Sequence, residues 1–206
     1  MHSPSIHSTS GTNGNQQADE APTAESIATN AAAKVASTAP QHHASPIARA
    51  VKKLMVPALF AAVLANVKTG DHIVSVKKPY TWAQKMFNEI LPRFGVTTTY
   101  VDGRDIENFE RAILPNTTVI YLESPNSWEF KLQDLKAVAE LAKAEGIVTI
   151  IDNSYCTPLY QKPIELGIDL AMQTATKYIS GHSDTLGGVL SGSKQMIEKI
   201  FNSEYM

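Results

Sequence analysis

The chain has 206 residues, enough for one medium domain with a full hydrophobic core. Its 18 Lys and Arg against 20 Asp and Glu leave a net charge of −2, which excludes an electrostatic case for nucleic acid or an anionic membrane surface. A single cysteine, Cys156, excludes an internal disulfide framework and a cysteine-rich zinc site, and it fits a reducing compartment.

Residues 1–45 are rich in Ser, Thr, Ala, Asn, Gln and Pro and lack aromatic residues. Such a segment cannot bury enough apolar surface to offset its ordering entropy, so it reads as a disordered tail. His42 and His43 have no companion ligands nearby, and no metal site is expected. No basic region followed by an apolar core opens the chain, which argues against a secretory leader. From residue 46 a globular α/β domain is expected. Helical spacing runs through PIARAVKKLMVPALFAAVLANV (46–67), with a stop at Gly70. Its apolar core, 54–67, falls short of the roughly 18 residues of a membrane span and contains Pro57. A soluble, cytoplasmic protein follows as the expectation.

HIVSV (72–76) reads as a buried strand. TWAQKMFNEILPRFG (81–95) reads as a helix with Trp82, Met86, Phe87, Ile90 and Leu91 on one side, ending near Pro92 and Gly95. VTTTYV (96–101) is β-branched and strand-like, and DIENFERAI (105–113) is a short helix capped by Asp102 or Asp105. TTVIYLES (117–124) is a buried strand. LQDLKAVAELAKAEG (132–146) is an amphipathic helix with Asp134 in its first turn and Gly146 at its end. IVTIID (147–152) is a strand, and IELGIDLAMQTAT (164–176) carries a short helix and another strand. Alternating helices and apolar strands predict an α/β fold: a mostly parallel sheet with helices on both faces.

Ligands bind such sheets at the carboxyl ends of the strands. Three of those ends are chemically loaded: Glu123-Ser124-Pro125-Asn126, Asp152-Asn153-Ser154-Tyr155, and Thr174-Ala175-Thr176-Lys177. Taken singly, these are turn formers, loop hydroxyls and a surface lysine. Together at one rim, a lysine, a carboxylate and hydroxyls suit pyridoxal 5'-phosphate (PLP). That cofactor needs an amine for its Schiff base, a carboxylate for its ring nitrogen and donors for its phosphate. No G-x-G-x-x-G or Walker A loop follows a strand, which weighs against a nucleotide-binding domain.

Residues 152–158 follow a D-N-[ST]-[FYW]-x-[TS]-P pattern, and residues 174–184 follow [ST]-x-[TS]-K-[YF]-x-x-G-H-[SA]-D. In order and separation the two closely resemble the core of the Cys/Met-metabolism, or trans-sulfuration, family of PLP enzymes, and the similarity extends over roughly 58–201. The resemblance implies the large PLP-binding domain of fold-type I enzymes. It makes Lys177 the Schiff-base lysine and Asp152 the partner of the ring nitrogen. Thr174 and Thr176 would contact the phosphate, Tyr80 would stack on the ring and help move protons, and Asn126 would lie near the ring oxygen. It implies carbon–sulfur cleavage or γ-replacement on a sulfur-containing amino acid, in a homo-oligomer.

The sequence departs from the family in three places. The small-residue turn that cradles the phosphate at a helix N-terminus is here Leu54-Met55-Val56-Pro57. The family's E-[ST]-P-[ST]-N-P is Glu123-Ser124-Pro125-Asn126-Ser127-Trp128, with the asparagine displaced by one position. The third is length: residues 46–206 correspond to a partial PLP-binding domain without the C-terminal domain that supplies a substrate-binding arginine. A catalytically inactive remnant acting as a binding or dimerisation module is therefore the alternative reading, and an exposed apolar patch is expected.

Overall fold

The computed structural model describes residues 57–182, 184 and 186–204. The expected tail, His42, His43, the first half of the 46–67 helix and the Leu54–Val56 turn lie outside the described residues.

Helix α1 (Pro57–Leu64) leads into β1 (His72–Val76). Helix α2 (Thr81–Lys85) continues through a π turn (Met86–Ile90) and a 3-10 turn (Leu91–Phe94) before β2 (Thr97–Val101). The expected single helix over 81–95 is thus three helical pieces. Pro92 has no N–H to continue the i→i−4 ladder, and Leu91 N–H instead reaches back to Met86 O. Gly95 then ends the run at φ 75°, a left-handed conformation that a side chain would strain.

Helix α3 (Ile106–Ala112) follows, then β3 (Thr117–Glu123), α4 (Leu135–Glu145) and β4 (Val148–Asp152). Asp134 caps α4 by accepting from Ala137 N at 3.0 Å, one position before the helix. No side chain caps α3: Asp102, one of the two expected caps, instead pairs with Arg104 Nη2 at 2.8 Å, and Asp105 makes no cap bond. The short α5 (Thr157–Tyr160) and a 3-10 turn (Pro163–Leu166) precede β5 (Leu170–Thr174). A π turn (Ala175–Ile179), β6 (Gly188–Gly192) and α6 (Lys194–Glu204) complete the order.

The strands form one sheet ordered β2-β1-β3-β4-β5-β6, with every pairing parallel except β5–β6. Both faces are covered, so the strands are apolar on both sides. Ile73, Val119, Tyr121, Ile150 and Leu170 meet α1 and the 81–94 helical run through Leu59, Val63, Met86, Phe87 and Leu91. On the opposite face Val74, Ile120, Leu122 and Ile151 meet Phe109 of α3 and Leu135, Val138 and Ala142 of α4. Among the described residues no helix is long and apolar enough to cross a membrane.

From β1 the chain crosses to β2 on one side, whereas from β3 it crosses to β4 on the other. The order therefore reverses between β1 and β3, and the strand ends part there into a crevice. Glycine 188 lets α1 lie close on β6: a Cβ added there would sit 2.7 Å from Ala58 Cβ. Gly188→Ala is expected to lower the unfolding free energy by about 1–3 kcal/mol, as overpacked contacts do, in urea titrations of the full chain.

Candidate active site

At the carboxyl ends of β1, β3, β4 and β5 lies a cleft of about 230 Å³. Tyr80 enters it from the loop after β1 and Trp82 from the first turn of α2, with Glu123 at the end of β3 and Ser127 in the loop beyond it. Asp152 and Ser154 come from the end of β4, and Thr174 and Lys177 from the end of β5. The parallel pairing accounts for this convergence, because Glu123 and Asp152 are register partners and Asp152 is in turn the partner of Met172. A run of strands that all end at one level places their last side chains on one rim.

Hydrogen bonds tie the strand exits to one another. Tyr80 N donates to Glu123 Oε2 at 2.6 Å, and the Ser127 hydroxyl donates to Glu123 Oε1. Ser154 N donates to Asp152 Oδ1 at 2.9 Å, while Thr174 N donates to Ser154 Oγ at 2.7 Å. Gln161 Nε2 donates both to Ser124 O at 2.9 Å and to Asn153 Oδ1 at 2.8 Å. Among the described residues, three non-glycine residues have left-handed backbone: Lys78 and Phe130 in the loops after β1 and β3, and Thr157 at the start of α5. Such residues cost free energy and persist where the surrounding structure holds them.

Burial governs the acids. It pushes the Glu123 carboxyl up to about 7, with the Ser127 hydrogen bond pulling back and the Asp152 charge pushing further. Burial also raises Asp152, but its hydrogen bonds to Ser154 and the Lys177 charge oppose that rise. Near neutral pH the Glu123 carboxyl therefore exchanges between its protonated and ionised forms. Burial, then Asp152 and Glu123, raise the phenols of Tyr80 and Tyr121 above the ordinary tyrosine range, so both stay neutral.

Of the residues singled out in the sequence, Lys177, Asp152, Thr174 and Tyr80 line this one cleft. The Lys177 ammonium lies 5.5 Å from the centre of the Tyr80 ring, a cation–π distance. Thr174 Oγ1 is buried with no hydrogen-bond partner among the described residues, an acceptor and donor left over for a ligand. Thr176 does not line the cleft; its hydroxyl accepts from Gly187 N at 3.1 Å and stitches the π turn to β6.

Asn126 does not line the cleft either. Its Nδ2 donates to Lys77 O at 3.1 Å and its Oδ1 accepts from Lys131 N at 3.0 Å, so its amide ties the loop after β3 to the exit of β1. Ser127 occupies the cleft instead. Glu123, Ser127 and Ser154 had no assigned role in the sequence reading. The signal was present: in E-[ST]-P-[ST]-N-P, read without displacement, the fifth position is Ser127. An amine, a buried carboxylate and an unpartnered hydroxyl beside the aromatic faces of Tyr80, Trp82, Tyr155 and Tyr178 fit PLP.

Comparison with known proteins agrees. Residues 45–205 match the family described as Cys/Met metabolism PLP-dependent enzyme. A cystathionine gamma-lyase of Bacillus subtilis (strain 168) is 39% identical over 144 residues, covering 69% of this chain and 38% of that protein. An L-methionine gamma-lyase of Porphyromonas gingivalis is 41% identical over 146 residues, covering 70% of this chain and 37% of that protein. A solved cystathionine gamma-lyase from Lactobacillus plantarum, complexed with L-serine, superposes with a TM-score of 0.69 at 36% identity, covering 72% of this chain and 39% of the other. The chain thus spans under two fifths of the length of these relatives.

The Ser154 hydroxyl is the tie between the exits of β4 and β5. Ser154→Ala is expected to leave the buried Thr174 N–H unpaired and to cost about 1–3 kcal/mol in chemical denaturation.

Proposed function

The chain belongs to the Cys/Met metabolism PLP-dependent enzyme family, and from that premise we propose that it is the cofactor-binding part of a carbon–sulfur lyase or γ-synthase of sulfur amino-acid metabolism. The observation that carries the proposal is the single cleft in which Lys177 faces Asp152 and the unpartnered Thr174 hydroxyl. Bound there, PLP would supply an aldehyde that captures amines and an electron-withdrawing ring. Lys177 Nζ is the amine for the aldehyde and the base for protons at the substrate Cα. Asp152, at the end of β4, would hold a proton on a ring nitrogen. Tyr80 offers its ring face, and Thr174 Oγ1 is available to a phosphate oxygen.

The substrate class is a sulfur-containing amino acid, and the compartment is the cytoplasm. A homo-oligomer is supported by the exposed aromatic and aliphatic side chains of the loops after β3 and β4: Trp128, Phe130, Leu132, Tyr155, Leu159 and Tyr160. A second reading, an inactive remnant serving as a binding module, draws support from Ser127 at the family's asparagine position and from the bulky Leu54-Met55-Val56 run at the phosphate turn.

Purified protein given PLP is expected to develop a visible absorbance band that borohydride removes, with the pyridoxyl group then mapped to Lys177 by peptide mass spectrometry. Lys177→Ala is expected to show neither. An unlabelled Lys177 favours the remnant reading. Sedimentation is expected to give a dimer or larger species, and a stable monomer contradicts the oligomer.

A further inference from the structure

Glu123 lies beside the Lys177–Asp152 axis and has no part in the chemistry assigned above. It stands at the sheet's switch point, at the last position of β3, next to the loop leaving β1. Its carboxyl is buried, and each oxygen holds a different exit loop. Oε2 accepts from Tyr80 N at 2.6 Å, and Oε1 accepts from the Ser127 hydroxyl. Tyr80 is also the residue that opens α2; its carbonyl accepts from Gln84 N at 3.0 Å, and its N–H is held by Glu123. The Tyr80 ring, in turn, is the group lying 5.5 Å from the Lys177 ammonium.

We propose that Glu123 is a positioning residue of this cleft: it clasps the loops after β1 and β3, sets the Tyr80 ring over Lys177, and transmits its own charge state to that loop. The inference deepens the functional reading above and rests on it for its catalytic meaning, while its physical content needs no cofactor. The titratable groups facing Glu123 are Tyr80 from the loop after β1, Tyr121 from its own strand, Asp152 from β4 and, across the cleft, Lys177. Tyr121 Oη is buried without a hydrogen-bond partner among the described residues and feels both carboxyls, so a negative Glu123 finds no hydrogen bond already in place from below. Ionising Glu123 sets a second charge next to its register partner Asp152, and like charges so placed repel. The buried strands are held on both faces, which leaves the exit loops to respond.

Trp82 reports on that response, because it lies two residues after Tyr80 and lines the same cleft. The chain has two tryptophans, so Trp128→Phe in this chain leaves Trp82 as the sole reporter. In this background, without PLP, Trp82 emission is expected to titrate with a midpoint at about pH 7. Glu123→Gln, which keeps an acceptor for Tyr80 N–H and cannot ionise, is expected to abolish the transition. Ser127→Ala removes a hydrogen bond that favours the ionised form, so the midpoint moves up. Asp152→Asn removes the neighbouring negative charge, so it moves down; each shift is expected to be about one pH unit. If Glu123→Gln fails to fold by far-ultraviolet circular dichroism, the opposed shifts of the other two variants still decide. A transition that persists in folded Glu123→Gln, a midpoint that neither variant moves, or no transition in the parent overturns the proposal. Failure of PLP to label Lys177 sinks the functional reading and leaves these midpoints in place, so the two failures are distinguishable.

Discussion

Two carboxyls buried side by side, Glu123 at the end of β3 and Asp152 at the end of β4, set the constraint around which the cleft is arranged. Both cannot be ionised there without a large desolvation and repulsion cost. The structure resolves this by unequal surroundings. Asp152 receives the Ser154 hydrogen bonds and the field of Lys177, whereas burial outweighs the bonds that Glu123 accepts from Tyr80 and Ser127. Two acids of similar intrinsic strength thereby meet different surroundings, the arrangement by which paired carboxyls divide their roles.

The sheet supplies the placement. Parallel strands buried on both faces end together, so residues separated in sequence by nearly a hundred positions, from Tyr80 to Lys177, reach one rim. The reversal of strand order between β1 and β3 opens the crevice, and Tyr80 and Glu123 flank it from its two sides. Rigid apolar layers below and left-handed, hydrogen-bonded loops above give the site its preorganisation. The residues that hold the loops, Gln161 and Asn126 among them, matter as much to the geometry as those that face the cleft.

Much of this was legible in the chain because buried parallel strands and amphipathic helices carry strong periodic signals. HIVSV, TTVIYLE, VTIID and LAMQT all stand where their apolar runs predict. Lys177, Asp152, Thr174 and Tyr80 share the cleft because strand ends in such a sheet must share it. Less legible was β6, whose GVLSG run has two glycines and no alternating pattern; Gly188 and Gly192 let it lie close to Ala58 and to Asp169 O. The π turn at Met86–Ile90 was hidden because periodicity does not distinguish it from an α-helix. Asn126 shows a different limit: residue type marks the asparagine as a ligand group, while its side-chain oxygen accepts from the backbone amides of its own loop, which periodicity does not reveal.

A crystal structure of this chain soaked with PLP would show whether the ends of β1, β3, β4 and β5 build a PLP site on Lys177. Electron density is expected to run continuously from Lys177 Nζ into the pyridine ring, with the ring nitrogen at Asp152, the ring face against Tyr80 and the phosphate within reach of Thr174 Oγ1. A cleft that stays clear of PLP while the compound attaches to surface lysines, or a ring bound with its nitrogen away from Asp152, would contradict it.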